Sequence, residues 1–169
     1  NGIDNSSHEK SSGSTKTITD PQLLRQIITG LFALMVYFAA LSAVWAFIER
    51  IAADRGLLTD QIGFALAFSM LGGVIGGMLV AIIGGLIGRI IPVWLSLLAF
   101  IGVFYGYSTQ FGMLSFALVT FIFSLFWNYV LGYQMAIIAA LDRADRYSVF
   151  IPGAQALGAV TGPTAAGFI

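Results

Sequence analysis

The chain has no cysteine and a single histidine, His8. The first absence excludes disulfides and thiolate metal sites. The second excludes a histidine zinc centre or a Ser-His-Asp triad in the apolar part of the chain, because His8 lies in a polar head segment. Charge is scarce as well. Eight basic and eight acidic residues make up 9% of the chain, against about 25% in soluble domains. The formal net charge is zero, so the basic footprint of a nucleic-acid binder is missing. From Ile90 to Leu141 there is no Asp, Glu, Lys, Arg or His at all. What is abundant is hydrocarbon: 58% of residues are hydrophobic. Mean hydropathy is +0.90. An aqueous globule cannot bury such runs, whereas a bilayer can, since a spanning helix needs ~20 mostly apolar residues.

Residues Asn1 to Asp20 are mainly Ser, Thr, Gly, Lys and Asp, and read as a flexible polar linker. Asp20-Pro21 reads as a helix start, with proline in the first turn. Residues 21–169 then read as an all-α integral membrane bundle of five spans. These run roughly from Ile27 to Ile48, Ile62 to Ile87, Ile90 to Tyr107, Phe111 to Leu141, and Val149 to the end. Strand alternation is absent, which argues against an outer-membrane barrel. With five crossings, the head and the loops at Arg89 and Arg143 share a side. That side carries Lys10, Lys16, Arg25, Arg89, Arg143 and Arg146, against Arg50 and Arg55 opposite. The excess places the head in the cytoplasm. The chain begins at Asn1 and stops inside an apolar run, and is expected to be a piece cut at both ends.

Glycine is concentrated where helices would need to touch. Gly72/Gly76, Gly73/Gly77 and Gly84/Gly88 form small-xxx-small pairs on the second span. Ala154, Gly158, Gly162 and Ala166 repeat four apart on the fifth. Small residues let backbones approach where lipid offers no hydrophobic drive. Tight packing and a sliding surface for rocking helices are both compatible with this pattern. Pro152 sits near the start of the fifth span, where it costs little, and Pro163 sits deeper, where it should bend the helix.

Polar groups at membrane depth are the candidate site. Thr120, Ser124, Trp127, Asn128, Leu131 and Gln134 fall on one side of the fourth span at 3.6 residues per turn. A polar stripe should face protein or water rather than lipid. Trp127 adds a flat face, and Asn128 and Gln134 add amides that donate and accept. Tyr129 and Tyr133 point elsewhere on the helix. The stripe reads as a substrate cavity wall or as inter-helix glue. Ser42, Trp45 and Glu49 share a face of the first span. Trp45 is a cavity candidate, and Glu49 is the candidate proton-coupling carboxylate, with a solvated helix-end charge as the plainer alternative. Gln155 is a lesser cavity candidate. Asp142, Arg143, Asp145 and Arg146 read as a topological anchor. The spans hold no convergent acid, base or metal set, so no enzyme and no cofactor are expected.

Three stretches resemble the second half of a major facilitator superfamily transporter of the bacterial drug- and sugar-efflux type. They are Trp45 to Arg50 with Gly56 in the loop that follows, Gly84 to Arg89, and Asp145-Arg146 followed by Gly158, Gly162-Pro163 and Gly167. In the family's loop signature only Gly88 and Arg89 match, and the acidic member is missing. The resemblance implies part of a twelve-helix bundle in the bacterial inner membrane. It implies secondary active transport of a small solute by alternating access, and a missing N-terminal half as partner. Substrate, coupling ion and direction are not specified by the residues. The alternative from another class is a non-transporting scaffold or assembly subunit that binds partner helices through its Gly-rich faces.

Overall fold

The computed structural model describes residues 21–84, 88, 90–109, 112–142 and 146–168. The head assigned as a linker and Arg89 of the loop motif lie outside the described residues. The described residues form five α-helices and contain no strand. They are α1 (Pro21–Asp54), α2 (Thr59–Ile83), α3 (Ile90–Ser108), α4 (Met113–Leu141) and α5 (Ile151–Ala166), with a 3₁₀ turn at Ser148–Phe150 before the last.

Four of these helices, α1 to α4, are long and apolar enough to cross a membrane, not the five expected. The fifth element falls short. Its first apolar residues, Val149 and Phe150, belong to a 3₁₀ turn at Ser148–Phe150, and the chain turns again after Ala166. The 16 residues of α5 rise about 24 Å, less than the ~30 Å of a hydrocarbon core. Apolar composition is continuous from Val149 onward, so hydropathy alone could not register this interruption.

The surface is lipid-like. On α3, Ile91, Trp94, Leu98, Ile101 and Tyr105 form an outward stripe at helical spacing, all strongly exposed. The buried side includes Ser69, Ser96 and Thr120. Each satisfies its hydroxyl on its own helix, at Leu66 O, Pro92 O and Phe116 O respectively, all at 2.7 Å. Apolar groups outside and self-satisfied polar groups inside are what a hydrocarbon solvent requires.

Packing divides the helices into two groups. α2 lies along α4, with α3 on another side of α4, and α1 lies along α5; α1 and α2 barely touch. Glycine makes both long contacts possible. A Cβ on Gly72 or Gly76 would collide with the backbone carbonyls of Phe121 and Leu125 on α4. A Cβ on Gly158 or Gly162 would collide with those of Met35 and Ala39 on α1. Among the described residues Gly84 meets only its own helix and Gly77 has nothing within 4 Å, so the Gly84/Gly88 pair does not pack and of Gly73/Gly77 only Gly73 does, against Asn128 of α4. Two contacts not anticipated from sequence are Gly106 against Val119 and Gly132 against Val80, each 2.8 Å from the built Cβ.

The ends are held by specific caps. Gly56, at φ +84°, closes α1, with Leu57 N–H on Ala52 O and Gly56 N–H on Ala53 O. These two bonds form a Schellman motif, which needs a left-handed residue at that position. Arg55 then reaches across and donates to the carbonyls of Ser108 and Thr109, at the negative end of α3. At the other end Asp142, which closes α4, is only 4% exposed. Its carboxylate accepts from the N–H groups of Arg146, Tyr147 and Ser148 and from the Ser148 hydroxyl. Desolvation pushes its pKa up, but these four hydrogen bonds outweigh it and the carboxyl lies below its usual value. Asp142 of the expected anchor is thus also the cap of the α4–α5 joint, while Arg143 and Asp145 of that cluster lie outside the described residues.

Two outcomes follow from this packing. Gly76→Ala should lower the thermal unfolding midpoint of the detergent-solubilised protein, at a cost of about 1–3 kcal/mol from overpacking. Gly77→Ala, in open space, should hold or raise it by up to about 1 kcal/mol through helix propensity. The Asp142 cap has a folded pKa lower than its unfolded one. Its stabilisation is therefore complete above the unfolded value of about 3.9 and disappears as pH falls through the lower folded value. Asp142→Ala should remove that acid dependence and speed hydrogen exchange at the Arg146, Tyr147 and Ser148 amides.

Candidate functional site

The space between the two helix groups is an open groove of about 560 Å³. Phe38 and Trp45 of α1 form one wall, and Met70, Gly73 and Val74 of α2 the other. Ser124, Trp127, Asn128 and Leu131 of α4 supply the floor. The groove exists because α1 and α2 each pack against a different partner and leave a wedge between them. No Asp, Glu, Lys or Arg lines it. Its depth follows from the register of α4. Trp127 is the middle residue of Met113–Leu141, about 21 Å from each end at 1.5 Å per residue. The floor therefore sits near the midplane of any bilayer that α4 crosses.

A fused set of rings fixes the floor. Trp45 stacks on Phe123 with planes 6° apart and centroids 6.3 Å apart. Trp127 meets Trp45, Phe123 and Phe38 edge to face, with centroids at 6.1, 5.5 and 5.9 Å. Both geometries suit the ring quadrupole, and each such pair adds about 0.5–1.5 kcal/mol beyond area burial. The Tyr37 hydroxyl donates to Trp127 O at 3.0 Å and ties α1 to the same turn of α4. The cluster joins the two helix groups along the side where α1 meets α4.

Asn128 carries the groove's amide. Its Nδ2 donates to Ser124 O at 3.0 Å, and Oδ1 accepts from no described residue. Only the NH₂ end can face a carbonyl, so this bond assigns the two ends of the amide. Gly73 makes room for it: a Cβ there would stand 2.8 Å from Nδ2.

The stripe read from sequence therefore splits. Ser124, Trp127, Asn128 and Leu131 line the groove together with Trp45. Thr120 is fully buried, accepts from the Tyr107 hydroxyl at 3.2 Å and acts as glue between α3 and α4. Gln134 lies outside the groove, with Oε1 buried and without a partner among the described residues. Its face carries Leu131 and Ile138, which pack against α1 and α5. Gln155 also lies outside and approaches Met135 Sδ at 3.9 Å. Glu49 is exposed and does not line the groove. It sits five residues before the end of α1. Gly88, at φ +61°, occupies a conformation glycine tolerates best, and Arg89 beside it is outside the described residues. Tyr129 and Tyr133 pair on the opposite side of α4, with centroids 5.1 Å apart, and the buried Tyr133 hydroxyl has no partner among the described residues.

Sequence reasoning missed Phe38, Met70, Gly73 and Val74 as groove residues. Gly73 carried a signal, since it was placed on a small-residue face, but the amide that fills its space comes from another helix. Among the described residues no group of His, Asp or Glu is arranged to hold a metal ion. Comparison with protein-family models, with curated proteins and with solved structures finds no match to this chain.

Proposed function

We propose that this chain supplies part of a secondary transporter, which carries a small solute across the bacterial inner membrane by alternating access. The observation that carries this reading is a solute-sized groove at mid-helix depth, with two tryptophans and one uncommitted amide oxygen on its surface. Transporter sites are typically found at the midplane between units that rock against one another. Two glycine-locked pairs, α1 with α5 and α2 with α4, are natural rocking units, because the contact between α1 and α2 is slight. The groove is open on one side, and a second half of the bundle, in the major-facilitator manner, would close it. In this reading the head and the α4–α5 joint face the cytoplasm and the α1–α2 turn faces outward. Glu49, if it couples proton movement to transport, does so from the α1 end and not from the solute groove.

The scaffold alternative rested on glycine faces free to receive partner helices. Gly72, Gly76, Gly158 and Gly162 are used inside the chain. Their use there favours the transporter reading, although Gly77 still faces open space.

The chain has no cysteine, so single-cysteine variants can be probed without a background. In intact cells, a membrane-impermeant maleimide should label Leu58→Cys, and should reach Val149→Cys only after permeabilisation; the reverse pattern rejects the orientation. In the intact protein, Asn128→Cys should react with a small impermeant methanethiosulfonate from each side of the membrane in turn. Reaction from neither side rejects alternating access. Glu49→Gln should flatten the pH dependence of solute uptake, and an unchanged profile takes Glu49 out of the mechanism.

A further inference from the structure

We propose that the groove selects a flat apolar ligand bearing an O–H or N–H donor, that Asn128 Oδ1 is the acceptor, and that Gly73 is the positioning residue that keeps it available. This rests on the groove being a solute site and names what the site recognises. Buried hydroxyls at Ser69, Ser96 and Thr120 discharge their donors onto their own helices, as polar groups in hydrocarbon must. Asn128 does this with its nitrogen only. Its carbonyl oxygen takes no hydrogen bond from any described residue, although it lies at the depth where an unpaired acceptor is costly. The groove beside it is large enough to admit a partner.

The rest of the lining specifies the body of that partner. Phe38, Trp45, Met70 and Trp127 offer rings and a thioether, and no lining residue carries a charge to compensate an anion. A planar apolar body fits this wall, and a single donor fits Asn128 Oδ1, with the Ser124 hydroxyl beside it on the same floor. A site built around a hydrogen-bond acceptor discriminates against ligands lacking the donor, because the acceptor is then left unpaired. Gly73 enters by its missing side chain. The Nδ2 atom lies 2.8 Å from where its Cβ would be, and α2 cannot retreat because Gly72 and Gly76 hold it against α4. A methyl at position 73 must therefore displace the amide nitrogen from its place at Ser124 O, and with it the oxygen that this bond holds toward the groove.

The test uses 2-naphthol and 2-methoxynaphthalene, which share a ring system and differ in the donor. Binding of each to the intact protein in nanodiscs is measured by equilibrium dialysis, with empty nanodiscs subtracted. Wild type should bind 2-naphthol about two- to tenfold more tightly, the range of one net neutral hydrogen bond. Gly73→Ala should bring that ratio to about one while 2-methoxynaphthalene still binds. Asn128→Leu should do the same, and the wild-type ratio stands as evidence even where a variant fails to fold. Equal or reversed affinities in wild type, with both probes lost in Trp127→Ala, overturn the donor selection and leave the groove as a solute site. Failure of both probes to bind wild type overturns the groove reading and this inference together. An undiminished ratio in a folded Gly73→Ala removes Gly73 as the positioning residue.

Discussion

In hydrocarbon, helices gain nothing by hiding apolar side chains from their solvent, so the bundle depends on how closely backbones can approach. Two contacts meet that requirement. Gly72 and Gly76 admit the α4 backbone to α2, and Met35 and Ala39 of α1 meet Gly158 and Gly162 of α5. At each, a single added carbon would strike a carbonyl. Dispersion falls steeply with separation, so losing a few tenths of an ångström along a whole helix costs more than any one side-chain contact contributes. The groove follows from these two contacts. Each locks its own pair, and the wedge between pairs is what remains.

The same solvent governs the polar groups. A soluble protein can leave a surface amide to water, but a membrane protein at mid-depth must satisfy it internally or line a cavity with it. Serine and threonine solve this locally, with hydroxyls returned to carbonyls three or four residues earlier. Tyr37 solves it by reaching from α1 to the Trp127 carbonyl. At the helix ends the solutions are ionic. Arg55 serves the carbonyls that finish α3, and Asp142 serves the amides that begin the α5 segment. Tyr133 and Gln134 also leave a buried atom without a partner among the described residues, but the half-satisfied Asn128 differs from them in lining the groove between α1, α2 and α4.

Helix type, order and much of the span placement were legible in the sequence, because uninterrupted hydrocarbon leaves a backbone few alternatives. The Gly72/Gly76 and Gly158/Gly162 contacts were legible for the same reason: spacing by four puts two gaps on one face. The Gly84/Gly88 pair has identical spacing and no partner, since spacing describes one helix and contact requires two. The fifth span failed for a related reason. Hydropathy counts apolar residues whether they wind as an α-helix or, as at Ser148–Phe150, as a tighter turn. Of the groove lining, Trp45, Trp127 and Asn128 stood out in the sequence because aromatic and amide side chains at mid-helix are conspicuous. Phe38, Met70 and Val74 did not, because they look like any lipid-facing residue until the opposite wall is known. Asp142 reads from sequence as one member of a charged loop cluster that anchors topology. Its role depends on three amides that the following turn aligns, and no spacing rule announces that alignment.

The two glycine contacts also bear on what the chain can do as a moving part. A backbone-to-backbone contact is stiff, since it has no rotamers to exchange and no room to slide without collision. The interface between the groups is different in kind. It is made largely of side chains, with aromatic rings, aliphatic residues such as Leu41 and Ile48, the Tyr37 hydroxyl and the Arg55 guanidinium, contacts that tolerate small rotations better than apposed backbones do. Motion should therefore occur between the pairs rather than within them, and the softest surface in the bundle is the aromatic floor of the groove. A ligand seated on that floor touches α1, α2 and α4 at once. Its binding energy then acts on the one interface where the two rigid groups can change their angle, which is how occupancy of a site becomes a bias on conformation.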